Sequence, residues 1–202
     1  MKDSPMGLRE RTRRTVQKEI AEAAQRLFVE RGYEATTIDD VAAEVGMSPR
    51  SVFRYFATKE DIVVGKLGFV AEEMLQALRD RPADEPVWES LRRIFDLLVP
   101  HVDAPGKREV ADPMQRIVFT TPALLASYLE KLHVMGDAAE TAIRDRAQAA
   151  GKPYSDDDPT PRALVAGAFG CLLAAQKAWL AGGAKQSFAE AIDQAMATIG
   201  PR

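Results

Sequence analysis

Hydrophobic positions recur at helical spacing along almost the whole chain, and no segment alternates apolar and polar residues long enough to read as a strand. From Thr12, the residues Val16, Ile20, Ala23, Ala24, Leu27 and Phe28 share one face and predict a helix that stops at Arg31-Gly32, where glycine can cap it. Thr37, followed three residues later by Asp40, is a capping-box variant, and Ile38, Val41, Ala42 and Val45 predict a short amphipathic helix behind it. Gly46 ends that helix, and Ser48-Pro49 supplies the N-cap and first-turn proline of another. Two short helices three residues apart form a helix-turn-helix. On the second, Val52, Phe53 and Phe56 are expected to face inward, leaving Arg50, Ser51, Arg54 and Tyr55 where side chains reach base edges and phosphates.

The rest of the pattern is helical too. Thr58-Lys59-Glu60-Asp61 repeats the capping-box form, and Ile62, Val63, Leu67, Val70, Met74 and Leu78 predict a long helix ending near Arg81-Pro82. After a polar turn, Pro86 opens a helix carrying Trp88, Leu91, Ile94, Phe95 and Leu98 that is expected to close at Pro100. A loop runs to Lys107, Asp112-Pro113 starts a short helix with Ile117 and Phe119, and Thr121-Pro122 caps a long one through Leu124, Tyr128, Leu132, Met135 and Ile143. The Pro/Asp-rich stretch 152–161 is expected to be loop and partly disordered. Two helices finish the chain, Arg162 to Leu180 and about Ala184 to Ile199, on either side of Gly182-Gly183. The expected fold is therefore all-α with about nine helices. The first of the final pair is apolar nearly all round, and its small residues Gly167, Gly170, Ala174 and Ala178 mark the expected seat of a second subunit.

Charge changes the picture locally. The 202 residues carry a net charge of −3, yet residues 1–66 hold 12 Lys+Arg against 11 Asp+Glu, and Arg9, Arg11, Arg13, Arg14 and Lys18 crowd the start. Such a run fits a basic arm, with Arg13 and Arg14 on phosphates, attached to an acidic body. A single cysteine excludes an intramolecular disulfide framework. No stretch reads as a membrane span and the N-terminal residues lack the apolar region of a leader, so a soluble, cytoplasmic protein without a membrane partner is expected.

Catalytic chemistry finds little support. His133 and Asp137 lie i,i+4 but lack a third ligand, His101 beside Asp103 reads as a surface histidine, and Cys171 sits in the most apolar helix, where a thiol is inert. There is no glycine-rich phosphate loop after a strand, and neither His-Glu-x-x-His nor Gly-x-Ser-x-Gly occurs. No catalytic residue, metal site or cofactor is expected. The competing class is a helical ligand-binding protein or enzyme in which the hairpin is only structural. A ligand pocket would draw on Trp88, Phe95, Met114, Phe119, Tyr128, Phe169 and Trp179, with Arg92, Arg93, Arg108, Arg116 and Lys131 as candidate anion anchors.

The motifs Ile20-Ala-x-Ala-Ala24, Leu27-Phe28, Gly32-Tyr33, Thr36-Thr37-Ile38, Val41-Ala42, Gly46, Ser48, Phe53-Arg-Tyr-Phe56 and Lys59-Glu60-Asp61 resemble those of TetR-family transcriptional regulators. The resemblance implies a helix-turn-helix DNA-binding domain over 1–57, a helical effector-binding and dimerisation domain over 58–202, and a homodimer joined through the last two long helices. It implies a repressor that binds a palindromic double-stranded operator and leaves it when a small amphipathic or hydrophobic effector occupies the body. By the same resemblance Thr37, Tyr55 and Lys59 meet phosphates and Arg50, Ser51 and Arg54 occupy base-reading positions, and Ser48, at the start of the reading helix, is expected among the DNA-binding residues. Arg54 stands where members of the family often carry an aromatic residue. The run from Ser48 to Phe56, with the later one from Met114 to Leu125, is similar to the branch with an acyl-CoA-like or mycofactocin-regulator-like effector domain, which implies an acyl-CoA-like ligand as one candidate effector.

Overall fold

The computed structural model describes residues 7–102, 108–183 and 185–200, apart from the side chains of 10, 66, 69 and 108–112. Among them are ten α-helices and no strand: α1 (Leu8–Arg31), α2 (Ile38–Glu44), α3 (Pro49–Phe53), α4 (Lys59–Arg79), α5 (Val87–Phe95), α6 (Val99–Val102), α7 (Arg108–Thr120), α8 (Pro122–Ala149), α9 (Thr160–Ala181) and α10 (Phe188–Ile199). Two compact units result, Met1–Lys66 with Ile117–Ser127, and Leu67–Arg116 with Tyr128–Arg202.

The first unit is built on the apolar stripe of α1. Ile20, Ala24, Leu27 and Phe28 are buried together with Val41 and Ala42 of α2, Val52 of α3 and Ile62 of α4. The turn between α2 and α3 is set by Gly46, at φ 66°. Gly46 N–H reaches the Ala43 carbonyl at 3.2 Å and Met47 N–H the Ala42 carbonyl at 2.8 Å, so the last carbonyls of α2 are satisfied inside the turn. Phe53 departs from the expected pattern. It is 51% exposed, whereas Val52 and Phe56 are buried, because a five-residue helix has room for one inward row only.

In the second unit α9 lies against α10 and α5. Phe95 meets Phe169 edge-on at 5.5 Å between centroids, and Trp179 meets Phe188 at 5.7 Å. Polar ties fix the edges. Arg81 and Ser90 both donate to the Glu85 carboxylate, and Arg146 of α8 donates to Ser90 Oγ at 2.9 Å and to the Glu85 carbonyl at 3.2 Å. Arg92 of α5 bridges Asp96, at 2.6 Å, and Asp193 of α10.

Several boundaries differ from the expected ones. The first helix starts at Leu8 rather than Thr12. The helix after Pro86 ends at Phe95, and Pro100 falls within the extra short helix α6, in its first turn, where a missing N–H costs nothing. Pro113 lies inside α7 instead of opening it. The last helix begins at Phe188, after a Ser187/Glu190 capping box that overrides the helix-forming residues before it. The 151–159 loop is held in a definite course: Arg144 donates to the carbonyls of Ser155 (3.1 Å) and Asp158 (2.9 Å), and Thr160 N–H to Asp158 Oδ1 (2.8 Å). The expectations for residues 1–6 and for the loop 103–107, Asp103 included, fall outside the described residues. One more correction concerns α9, which is long and apolar enough to cross a membrane by length and composition. Half of that stretch is buried inside the protein, which is what a core helix requires.

Candidate nucleic-acid interface and effector cleft

The two short helices owe their positions to their caps. Thr37 Oγ1 accepts from Asp40 N–H at 3.2 Å while the Asp40 carboxylate takes Thr37 N–H at 2.8 Å and the Thr37 hydroxyl at 2.6 Å. Hydrogen bonds from the Thr37 side chain and backbone hold the Asp40 carboxyl below its usual range, with Arg31 assisting. Ser48 Oγ accepts from Ser51 N–H at 3.2 Å and lies 2.9 Å from Ser51 Oγ. Gln17 of α1 donates to the Tyr55 carbonyl at 3.3 Å, which braces the exit of α3 against the first helix.

This scaffold leaves Thr37, Ser48, Arg50 and Arg54 exposed, with Ser51 and Tyr55 half-buried. Phe53 joins them. Sequence reasoning assigned it to the core because its neighbours Val52 and Phe56 are apolar; what separates it is that a short helix turns it 100° away from Val52. The exposed edge of α3 thus presents two guanidinium groups and one aromatic ring, the side-chain types that meet guanine edges and thymine methyl groups in a major groove. Arg13 is exposed and Arg14 half-buried on the second turn of α1.

Lys59 is placed otherwise than a purely surface lysine. Its ammonium donates to the carbonyls of Tyr33 (2.8 Å) and Thr36 (3.1 Å) and stands 3.9 Å from the Tyr33 ring centroid. Tyr33 in turn donates to Glu60 at 2.6 Å, and burial together with that carboxylate pushes the phenol above its ordinary pKa. The first turn of α4 therefore ties down the loop that delivers Thr37 to α2.

The seven aromatic and Met residues expected at an effector pocket stand in different surroundings. Phe95 and Trp179 are core, the latter donating its indole N–H to the Gln186 carbonyl at 2.9 Å, and Met114 is buried. Trp88 packs over Gly167 and Gly200. Phe119 belongs to the first unit. Phe169 alone of the seven lines a cleft of about 250 Å³ between α8 and α9, with Leu129, Leu132, Val165 and Leu173 as its apolar walls. Tyr128 donates to Gln176 at 2.6 Å in the interior. Of the candidate anion anchors, Arg92 and Arg93 are paired with carboxylates and Arg116 donates to the Leu180 carbonyl; the Arg108 side chain lies outside those described. Burial raises the Cys171 thiol pKa, as an inert cysteine requires. No group of three or more metal-ligating side chains occurs among the described residues.

On α9, Gly170, Ala174 and Ala178 are exposed, and a Cβ on Gly170 would meet nothing within 4 Å. Gly167, on the same stripe, is half-buried, and a Cβ there would lie 3.5 Å from the Trp88 ring.

Comparison with known proteins agrees with this layout. A family model for bacterial regulatory proteins of the tetR family matches residues 20–64. The HTH-type transcriptional regulator TcmR of Streptomyces glaucescens is 34% identical over 165 residues, 79% of this chain and 71% of that protein. In structure the chain is similar to the transcriptional regulator FadR of Bacillus subtilis in complex with stearoyl-CoA, at TM-score 0.59 and 17% identity over 92% of this chain and 99% of that one. It is also similar to the SmeT–triclosan complex, SmeT being the repressor of the Stenotrophomonas maltophilia multidrug efflux pump SmeDEF, at TM-score 0.57 and 16% identity over 91% of both chains. At these identities the two structures speak to the fold alone.

Proposed function

Because the chain belongs to the TetR family of bacterial helix-turn-helix transcriptional regulators, we propose that it is a repressor that reads a palindromic operator as a homodimer and leaves it when a small effector occupies its helical body. The exposed edge of α3 carries the proposal: Arg50, Phe53 and Arg54 stand out from a helix whose Val52 is fully buried. Arg50, Ser51 and Arg54 read bases, and Phe53 packs against a thymine methyl group. Thr37, Ser48, Tyr55, Arg13 and Arg14 meet phosphates, as does the third N–H of Lys59. Residues 1–57 serve as the DNA-binding domain and 58–202 as the effector domain, with the protein working in the cytoplasm.

Gly170, Ala174 and Ala178 form the seat of the partner subunit, since exposed small residues on an apolar helix let a second helix approach closely. Two recognition helices then address major grooves about 34 Å apart. An effector releases DNA only by binding more tightly to a body conformation that breaks this spacing. A gel shift on the DNA upstream of the coding sequence tests the reading. Specific retardation should give way on adding an effector found by thermal-shift screening, and no retardation beyond that of random DNA would defeat it.

A further inference from the structure

Five residues do not make a self-sustaining helix, and α3 is no longer than that. Its start is fastened from within, by the Ser48 cap and the contact between the Ser48 and Ser51 hydroxyls. Its inward row is short: Val52 is fully buried and Phe56 is 6% exposed. The turn beyond it closes through Arg54 N–H to the Ser51 carbonyl at 3.2 Å. Tyr55 and Phe56 N–H close it further, reaching the Val52 carbonyl at 2.9 and 3.1 Å. Those bonds satisfy the carbonyls of Ser51 and Val52 and leave later ones over, the usual condition of a helix end.

The Tyr55 carbonyl is taken by a side chain from another helix. Gln17 of α1, half-buried and 38 residues earlier, donates to it through Nε2 at 3.3 Å. Gln17 is itself well anchored, because Ile20 and Ala21, one turn on, are 0% and 2% exposed. One turn in the other direction lie Arg13 and Arg14, four and three residues before Gln17 and hence on its side of the helix. The stretch of α1 that carries these two cations is thus tied to the exit of α3, where Arg54 and Tyr55 leave the helix.

Apolar contacts press α3 onto the unit but are non-directional, so they resist rotation about its axis and sliding along it only weakly. A hydrogen bond to one backbone carbonyl fixes a point. The residue type matters as well. Methionine would match glutamine in length but lacks a donor, and glutamate would turn a carboxylate oxygen toward the carbonyl.

On the reading that the edge of α3 meets bases, we infer that Gln17 is a positioning residue for DNA recognition. It touches no base. Its bond to the Tyr55 carbonyl holds the exit of α3 in place relative to the second turn of α1, so that Arg54 addresses its base while Arg13, Arg14 and Tyr55 engage phosphates of the same duplex. Without that bond the phosphate contacts survive and the base contacts lose their register.

Two measurements on the full-length protein test this. The first compares affinity for the selected operator with affinity for random duplex in the parent, Gln17→Met and Gln17→Lys. Gln17→Met should weaken operator binding by about three- to tenfold, the worth of one hydrogen bond, and leave random duplex unaffected. Gln17→Lys keeps a donor and adds a charge felt equally by both DNAs, so it should restore the operator-to-random ratio. The second measurement needs no DNA: amide hydrogen exchange at 54–56 should quicken by at least about threefold in Gln17→Met while the amides of α1 and α2 keep the parent's rates. An unchanged ratio in Gln17→Met, or an equal loss on both DNAs as for a plain phosphate contact, would overturn the inference. So would unchanged exchange at 54–56, or a loosening shared by the whole unit, which marks a general folding role. A parent without any selectivity would defeat the regulator reading instead, and the exchange measurement would still decide the role of Gln17.

Discussion

Gly65 of α4 lies directly under the ring of Phe56: a Cβ on Gly65 would stand 2.6 Å from Phe56 Cε1. The glycine lets the aromatic that closes the recognition segment fold down onto the next helix. Gly65→Ala should therefore destabilise the DNA-binding unit by about 1–3 kcal/mol through overpacking, although alanine is the better helix former. Thermal unfolding of Gly65→Ala with and without Phe56→Leu checks it, since the smaller side chain should restore much of the loss. Equal Tm values for Gly65→Ala and the parent would show that the ring moves aside freely.

Lys59 is placed to act twice, through the Tyr33 and Thr36 carbonyls and through a phosphate. Lys59→Ala should cost about 1.5–3 kcal/mol of stability, the usual worth of hydrogen bonds to a charged group, and should lower the magnitude of the operator salt slope by about one. Chemical denaturation and affinity at several salt concentrations separate the two effects. A loss of stability with an unchanged slope would remove Lys59 from the phosphate set.

Much of this first unit is legible in the sequence because its signals are local. The Thr37–Asp40 box, Gly46 and Ser48-Pro49 each act within four residues, and each does in the fold what its spacing implies. Phe53 was misjudged because apolar character does not say which side of a five-residue helix a ring occupies. The effector region was less legible for a related reason. Phe95 and Trp179 are buried and Trp88 packs over Gly167 and Gly200, while Gln176, a polar residue in an apolar helix, is buried against Tyr128. Its partner lies 48 residues away, beyond the range of any periodicity.

Acid should loosen the second unit through Glu85. Hydrogen bonds from Arg81 and Ser90 bring its carboxyl down to about 2 from an ordinary 4.5. A depressed folded-state pKa gives stability that is present above about 4.5 and is lost as pH falls from there through about 2. Glu85→Gln should flatten the dependence of Tm on pH across that window relative to the parent. Parallel curves for the two proteins would show that this carboxylate does not drive the acid response.

Gly170→Leu probes the proposed subunit seat, because a Cβ there would meet nothing within 4 Å. Folding of the single chain should be unaffected, while the dimer should weaken by about 1–3 kcal/mol from overpacking across the interface. Sedimentation at decreasing concentration reads this out. A variant as fully dimeric as the parent would move the interface away from Gly170.

The central claim is that the exposed edge of α3 reads base sequence, and selection of bound DNA from a randomised duplex library tests it most directly, using the parent, Arg54→Ala and Phe53→Ala. The parent should enrich an inverted repeat with half-site centres about one helical turn, or a multiple of it, apart. Arg54→Ala should lose about 1–3 kcal/mol and relax one base position in each half-site, and Phe53→Ala should relax a thymine position. Failure of the parent to enrich any motif, or enrichment of the same motif with the same stringency by all three proteins, would contradict the account.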